Sequence, residues 1–66
     1  MRFKIMGKKG DAAFDYDTLE MQQVKFAELK SAGMLPMVRE PSGSRLLQKF
    51  EPGVDEVIWI PRITGG

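Results

Sequence analysis

Apolar and polar residues alternate from Met1 to Met6, with Phe3 and Ile5 on one side and Arg2, Lys4 and Met6 on the other. A period of two is that of a strand with one buried face. Gly7-Lys8-Lys9-Gly10-Asp11 interrupts it, and two glycines suit a tight turn. The lysines there lack the spacing of a phosphate-binding loop. Alternation resumes from Ala12 to Tyr16 and turns Phe14 and Tyr16 inward. The two segments predict a hairpin. Asp17, with Glu20 three residues later, then predicts a helix start in the manner of a capping box. Leu19, Phe26 and Leu29 recur at helical spacing and are expected to face a sheet, with Gln22 or Gln23 in step and Val24 or Ala27 flanking. Lys25, Glu28 and Lys30 form a solvated face. Gly33 closes the helix.

Beyond the helix, Met37 to Glu40 reads as a short third strand and Pro41-Ser42-Gly43-Ser44 as a turn. Arg45 to Phe50 reads as a fourth strand or a strand with a helical turn. Glu51-Pro52-Gly53 breaks it. Val57-Ile58-Trp59-Ile60 is apolar at every position, the composition of a strand covered on both faces, and Pro61 ends it because proline cannot donate to a ladder. Met21, Met34 and Met37 read as fillers of a small core.

Composition narrows the chemistry. The 66 residues allow one domain. There is no cysteine and no histidine, which removes thiol nucleophiles, disulfides, thiolate metal sites and the usual general base. No catalytic constellation stands out, so no enzyme activity and no cofactor of its own are expected. Ten basic and nine acidic residues give a net charge of +1, which argues against a nucleic-acid binder using Arg2, Lys4, Lys8 and Lys9. No apolar run approaches the roughly 20 residues of a membrane span. A cytoplasmic monomer is expected.

One stretch carries a sharper signal. After Pro61 the chain runs Arg62-Ile63-Thr64 to a terminal Gly65-Gly66. Glycine has no Cβ, so such an end forms a thin tail whose backbone enters narrow channels. A terminal carboxylate is inert until activated, usually by adenylation. The segment Asp55-Glu56-Val57, three apolar residues, Pro61 and Thr64-Gly65-Gly66 resembles the end of the ubiquitin-like sulfur carriers, the family of the molybdopterin synthase small subunit and the thiamine-pathway carrier. The family often has Gly-Asp before the strand; here Gly53 precedes Val54-Asp55 by one place.

The order strand, strand, helix, strand, strand, strand predicts an α+β fold: a β-grasp, or ubiquitin-like, arrangement. It has a four- to five-stranded mixed sheet, one helix across one face, and the last strand central and parallel to the first. Residues 1–66 are expected to form this one domain, with 62–66 as an extended flexible tail. If Phe3 and Ile5 face the helix with Val57 and Trp59, then Ile58 and Ile60 lie beside Lys4 and Met6 on the other face. They are expected to form an exposed apolar partner site rimmed by Arg39, Arg45 and Lys49.

The resemblance implies a carrier whose C-terminus is the working group. Gly66 would be the acyl attachment point, with Gly65 and Thr64 threading the activating site and Arg62 contacting the partner. The implied partners are an ATP-dependent adenylating enzyme of the ubiquitin-activating type, then a sulfur-acceptor enzyme or a target protein. The alternative is a β-grasp interaction module that is never conjugated, of the kind found in phages and mobile elements.

Overall fold

The computed structural model describes residues 1–7 and 10–61. Six elements follow one another: β1 (Arg2–Gly7), β2 (Gly10–Asp15), α1 (Leu19–Ser31), β3 (Leu35–Glu40), β4 (Gly43–Leu46) and β5 (Glu56–Ile60). They build an α+β fold with one mixed sheet in the order β2-β1-β5-β3-β4. The last strand lies at the centre, as its all-apolar composition predicts. It runs parallel to β1, with Phe3 beside Val57 and Ile5 beside Trp59. It runs antiparallel to β3, with Trp59 beside Pro36 and Met37 beside Ile58.

The two hairpins flank this centre. Gly7 pairs with Gly10, whose φ of 127° is a region that side-chain-bearing residues avoid. The other hairpin joins β3 to β4, with Glu40 beside Gly43. The sequence expectation began the third strand at Met37, but pairing starts at Leu35 and takes in Pro36. Leu47 N–H donates to the Pro36 carbonyl at 2.9 Å, so the proline nitrogen points toward the side on which β4 has just ended. The ladder to β5 therefore loses nothing, and only the bond reciprocal to that of Leu47 is forgone, at the end of β4, which explains a proline in an interior strand against the usual rule. The fourth strand is correspondingly short and stops at Leu46.

The helix departs from the expected pattern in two ways. Its cap is Thr18 rather than Asp17: Thr18 has extended backbone and its hydroxyl accepts from Met21 N–H at 3.2 Å. Its inward stripe is Gln22, Phe26 and Leu29, while Leu19 is 52% exposed. Gln22 is buried, and its side-chain amide donates to the Tyr16 carbonyl at 2.9 Å. This bond offsets the burial of a polar side chain. Val24 and Ala27 are exposed. At the far end Gly33, at φ 89°, lets its own N–H reach the Lys30 carbonyl and that of Met34 reach Leu29, at 3.0 and 3.1 Å. These bonds satisfy carbonyls that the last turn leaves free.

The core lies between α1 and the sheet. Phe3, Phe26, Val38, Leu47, Val57 and Trp59 are buried, with Ile5, Tyr16, Leu29, Met34 and Phe50 packed against them. Aromatic rings meet edge to face: Phe26 with Trp59 at 5.2 Å, Phe3 with Trp59 at 5.5 Å and Phe3 with Tyr16 at 5.3 Å. Such geometry sets the positive ring edge against a negative face. Phe14 shares this face by register with Phe3, yet it is 45% exposed, because it lies on an outer strand at the margin of the helix. Of the three methionines expected in the core, Met34 packs there, Met21 is exposed and Met37 lies on the opposite face of the sheet. No helix among the described residues is long and apolar enough to cross a membrane.

Candidate functional site

The candidate site is the exit end of β5 and the sheet face that α1 leaves open. Five residues suffice to hold β5 because neighbours pair with it on both sides. Val57 and Trp59 point to the helix and are fully buried, which leaves Ile58 and Ile60 pointing away from it. Ile58 is half-buried and Ile60 is 37% exposed. Pro61 follows and is exposed. Arg62, Thr64, Gly65 and Gly66 lie outside the described residues, as does the proposed tail over 62–66.

Cross-strand pairing shows what shares the open face. Leu35 sits beside Ile60, Met37 beside Ile58, Leu46 beside Met37, and Lys4 beside Ile58. Leu35, Leu46 and Met6 are all substantially exposed. Ile58 and Ile60 therefore belong to an apolar face that also takes in Leu35, Met37, Leu46 and Met6, more residues than the sequence placed there. Leu35, Met37 and Arg39 alternate along one face of β3, but beginning the strand at Met37 and taking Met37 for a core filler hid the alternation.

The expected basic rim is only partly there. Arg39 pairs with Ser44 in register with the patch. Arg45 does not belong to it. It pairs with Val38, a helix-facing residue, and is bound on that side to the carboxylates of Glu40 and Glu51, the latter at 2.9 Å. The hydrogen bonds to Glu51 and Glu40 raise the Arg45 pKa, and the same contact with Arg45 holds the Glu51 carboxyl below its usual range. Lys49 lies in the segment beyond β4, beside Arg45 and Glu51 in a shallow depression. At the far margin of the face, Arg2 bonds Asp15 at 3.0 Å, and this contact raises the arginine pKa.

A cleft of about 330 Å³ opens where α1 ends, lined among others by Lys30, Met34, Leu35, Leu46 and Leu47. Leu35 and Leu46 line it and also border the apolar face, so the cleft and the face adjoin. The Lys30 ammonium is already engaged, donating to the Gln48 carbonyl at 2.6 Å. Among the described residues no group of three or more acidic side chains is placed to hold a metal ion. The arrangement is an exposed apolar surface next to the end of β5. Comparison with known proteins finds no matching family model, no similar curated protein and no similar solved structure.

Proposed function

We propose that this chain is a β-grasp carrier of the ubiquitin-like kind, working through its C-terminal carboxylate. The observation that carries the reading is the placement of β5. The strand that leads to Pro61 and Gly65-Gly66 is the central one, hydrogen-bonded on both sides. Whatever follows Pro61 continues from a strand paired on both sides, and the exposed apolar residues Leu35 and Ile60 lie at its end.

The chemistry follows from a bare carboxylate. A carboxylate oxygen of Gly66 attacks the α-phosphate of ATP on a partner adenylating enzyme, and pyrophosphate leaves. A sulfur nucleophile at the sulfide level then displaces AMP and leaves a thiocarboxylate, the route the tail resemblance favours. In the other route a thiol of a partner enzyme displaces AMP to give a thioester, and an amine of a target protein then expels that thiol, losing a proton as the amide forms. Arg62, Thr64 and Gly65 are the contacts in the activating site, and Ile58 and Ile60 belong to the docking face. The reactions are the partners' own, performed in the cytoplasm.

The test is the intact mass of the chain, recovered from its native host without a C-terminal tag. Exchange of one oxygen for one sulfur at Gly66 is the expected result, and larger species joined through Gly66 to lysine would identify the modifier route. Unmodified mass, with ATP and host extract supplied, would overturn the carrier reading. The apolar face would then favour the interaction module, and removal of Gly66 would leave its partner binding intact.

A further inference from the structure

The outer edge of β2 carries an inference independent of the tail. Met1 and Tyr16 exchange hydrogen bonds: the terminal amino group donates to the Tyr16 carbonyl at 3.0 Å, and Tyr16 N–H donates to Met1 at 2.9 Å. Along an antiparallel ladder such pairs alternate with pairs that make no mutual bonds. Phe14 and Ala12 therefore direct their backbone groups to β1. Asp11, Ala13 and Asp15 direct theirs outward. The register runs without a bulge from Arg2–Asp15 to Gly7–Gly10. All six residues of β2 are exposed, with no proline or lysine among them. Proline, lysine and bulges, which keep many edge strands from pairing, are absent from these six residues, and the only charges the strand carries are Asp11 and Asp15.

We propose that this edge pairs with the same edge of a second copy, antiparallel, about a two-fold axis at Phe14. The register is chosen by the side chains. An axis at Ala13 would set Asp11 directly opposite Asp15 of the other copy within the strand, like charges that repel, whereas an axis at Phe14 moves the acid facing Asp11 to Asp17, beyond the end of β2. An axis at Ala12 joins two alanines and leaves the Phe14 rings at the ends of the contact. An axis at Phe14 faces the two half-exposed rings at the short spacing of a non-hydrogen-bonded pair, about 4.5 Å between Cα atoms. It also pairs Ala13 with Asp15 of the other copy, and these residues exchange hydrogen bonds on either side of the axis.

Charge completes the fit. Lys4 lies beside Ala13, and Arg2 beside Asp15, on the open face of the sheet. Across the proposed contact each row reads Lys4, Ala13, then Asp15 and Arg2 of the second copy. Lys4 and that Asp15 are about 10 Å apart at Cα, the sum of the two ladder spacings. A lysine side chain reaches across the small Ala13 to close this gap. The patch over β3, β4 and β5 stays uncovered. The contact is smaller than a standard interface, so the monomer expected from the sequence holds at low concentration and the dimer forms at high concentration.

Sedimentation equilibrium of the full chain, from micromolar to millimolar, tests this. The mean mass is expected to rise from 7.4 kDa toward twice that value, and less so in high salt. Ala13→Pro removes an outward N–H and spares the β1 ladder; it should hold the chain monomeric at every concentration. Lys4→Glu should weaken the dimer at least severalfold. Should Ala13→Pro fail to fold, amide exchange of the unaltered chain decides. Protection of Ala13 and Asp15 on concentration supports the pairing, and unchanged exchange overturns it. A chain monomeric at millimolar concentration also overturns it, as does a dimer indifferent to Lys4→Glu or abolished by Ile60→Asp.

Discussion

Trp59 shows at the scale of one residue how the core is filled. It is fully buried, and its indole N–H finds no hydrogen-bond partner among the described residues. An unmet buried donor costs about 1–3 kcal/mol. Trp59→Phe removes that donor along with part of the ring. It is expected to destabilise by no more than about 1 kcal/mol, against about 3–5 kcal/mol for Trp59→Ala. Denaturant unfolding of both variants checks the contrast. The sequence announced Trp59 as core by its apolar neighbours, and Phe3 likewise by alternation. It did not single out Gln22, because a buried glutamine depends on a carbonyl, that of Tyr16, which only the fold brings near. The sequence reading took Asp17 for the cap, and the structure places it one residue later, at Thr18. Asp17 and Thr18 are both good capping residues, and the turn after β2 selects Thr18.

Among the elements, the strands were more legible than the helix. β1 and β5 each show a plain pattern, alternating or wholly apolar, and both lie where that pattern requires. The helix carries apolar residues all round, including exposed Leu19, Met21 and Val24, so periodicity alone misassigned Leu19 to its inner face. The turn between β3 and β4 was legible in Pro41-Ser42-Gly43-Ser44, although β4 already begins at Gly43 rather than at Arg45. The ion cluster that braces it was not, since Arg45 reads from sequence as a rim residue. Arg45 ties β4 to Glu40 of β3 and to Glu51 beyond it. The Glu51 pKa is lowered in the folded state by Arg45. The pair therefore stabilises the fold above the ordinary carboxylate pKa, and its contribution fades as pH falls through the lowered value. Arg45 is exposed and Glu51 partly so, which keeps the effect small. Glu51→Gln is expected to flatten the acid limb of the stability profile slightly and leave the neutral-to-basic limb parallel to the original. Thermal unfolding across pH measures this.

For the whole molecule, the arrangement of strands followed from sequence order and from the composition of β5, whereas the extent of the open apolar face did not. Patch residues come from strands distant in sequence, and Leu46 joins Met37 only through a hairpin register that the chain does not spell out. The placement of β5 has one more consequence, which concerns time. Of the six elements, the strand at the centre is the last to be synthesised. Until it arrives, the β1–β2 hairpin and the β3–β4 hairpin have no shared neighbour, and the helix has no complete face to cover. Joining β1 to β5 closes a loop spanning most of the chain, and that entropy must be met before the contacts reward it. Folding is therefore expected to be slow for a domain this small, in milliseconds or longer rather than microseconds. Val57→Ala should chiefly speed unfolding if β5 docks after the transition state, and slow folding if it docks before. Stopped-flow kinetics following Trp59 fluorescence reads both, because the reporter sits on the strand that completes the sheet.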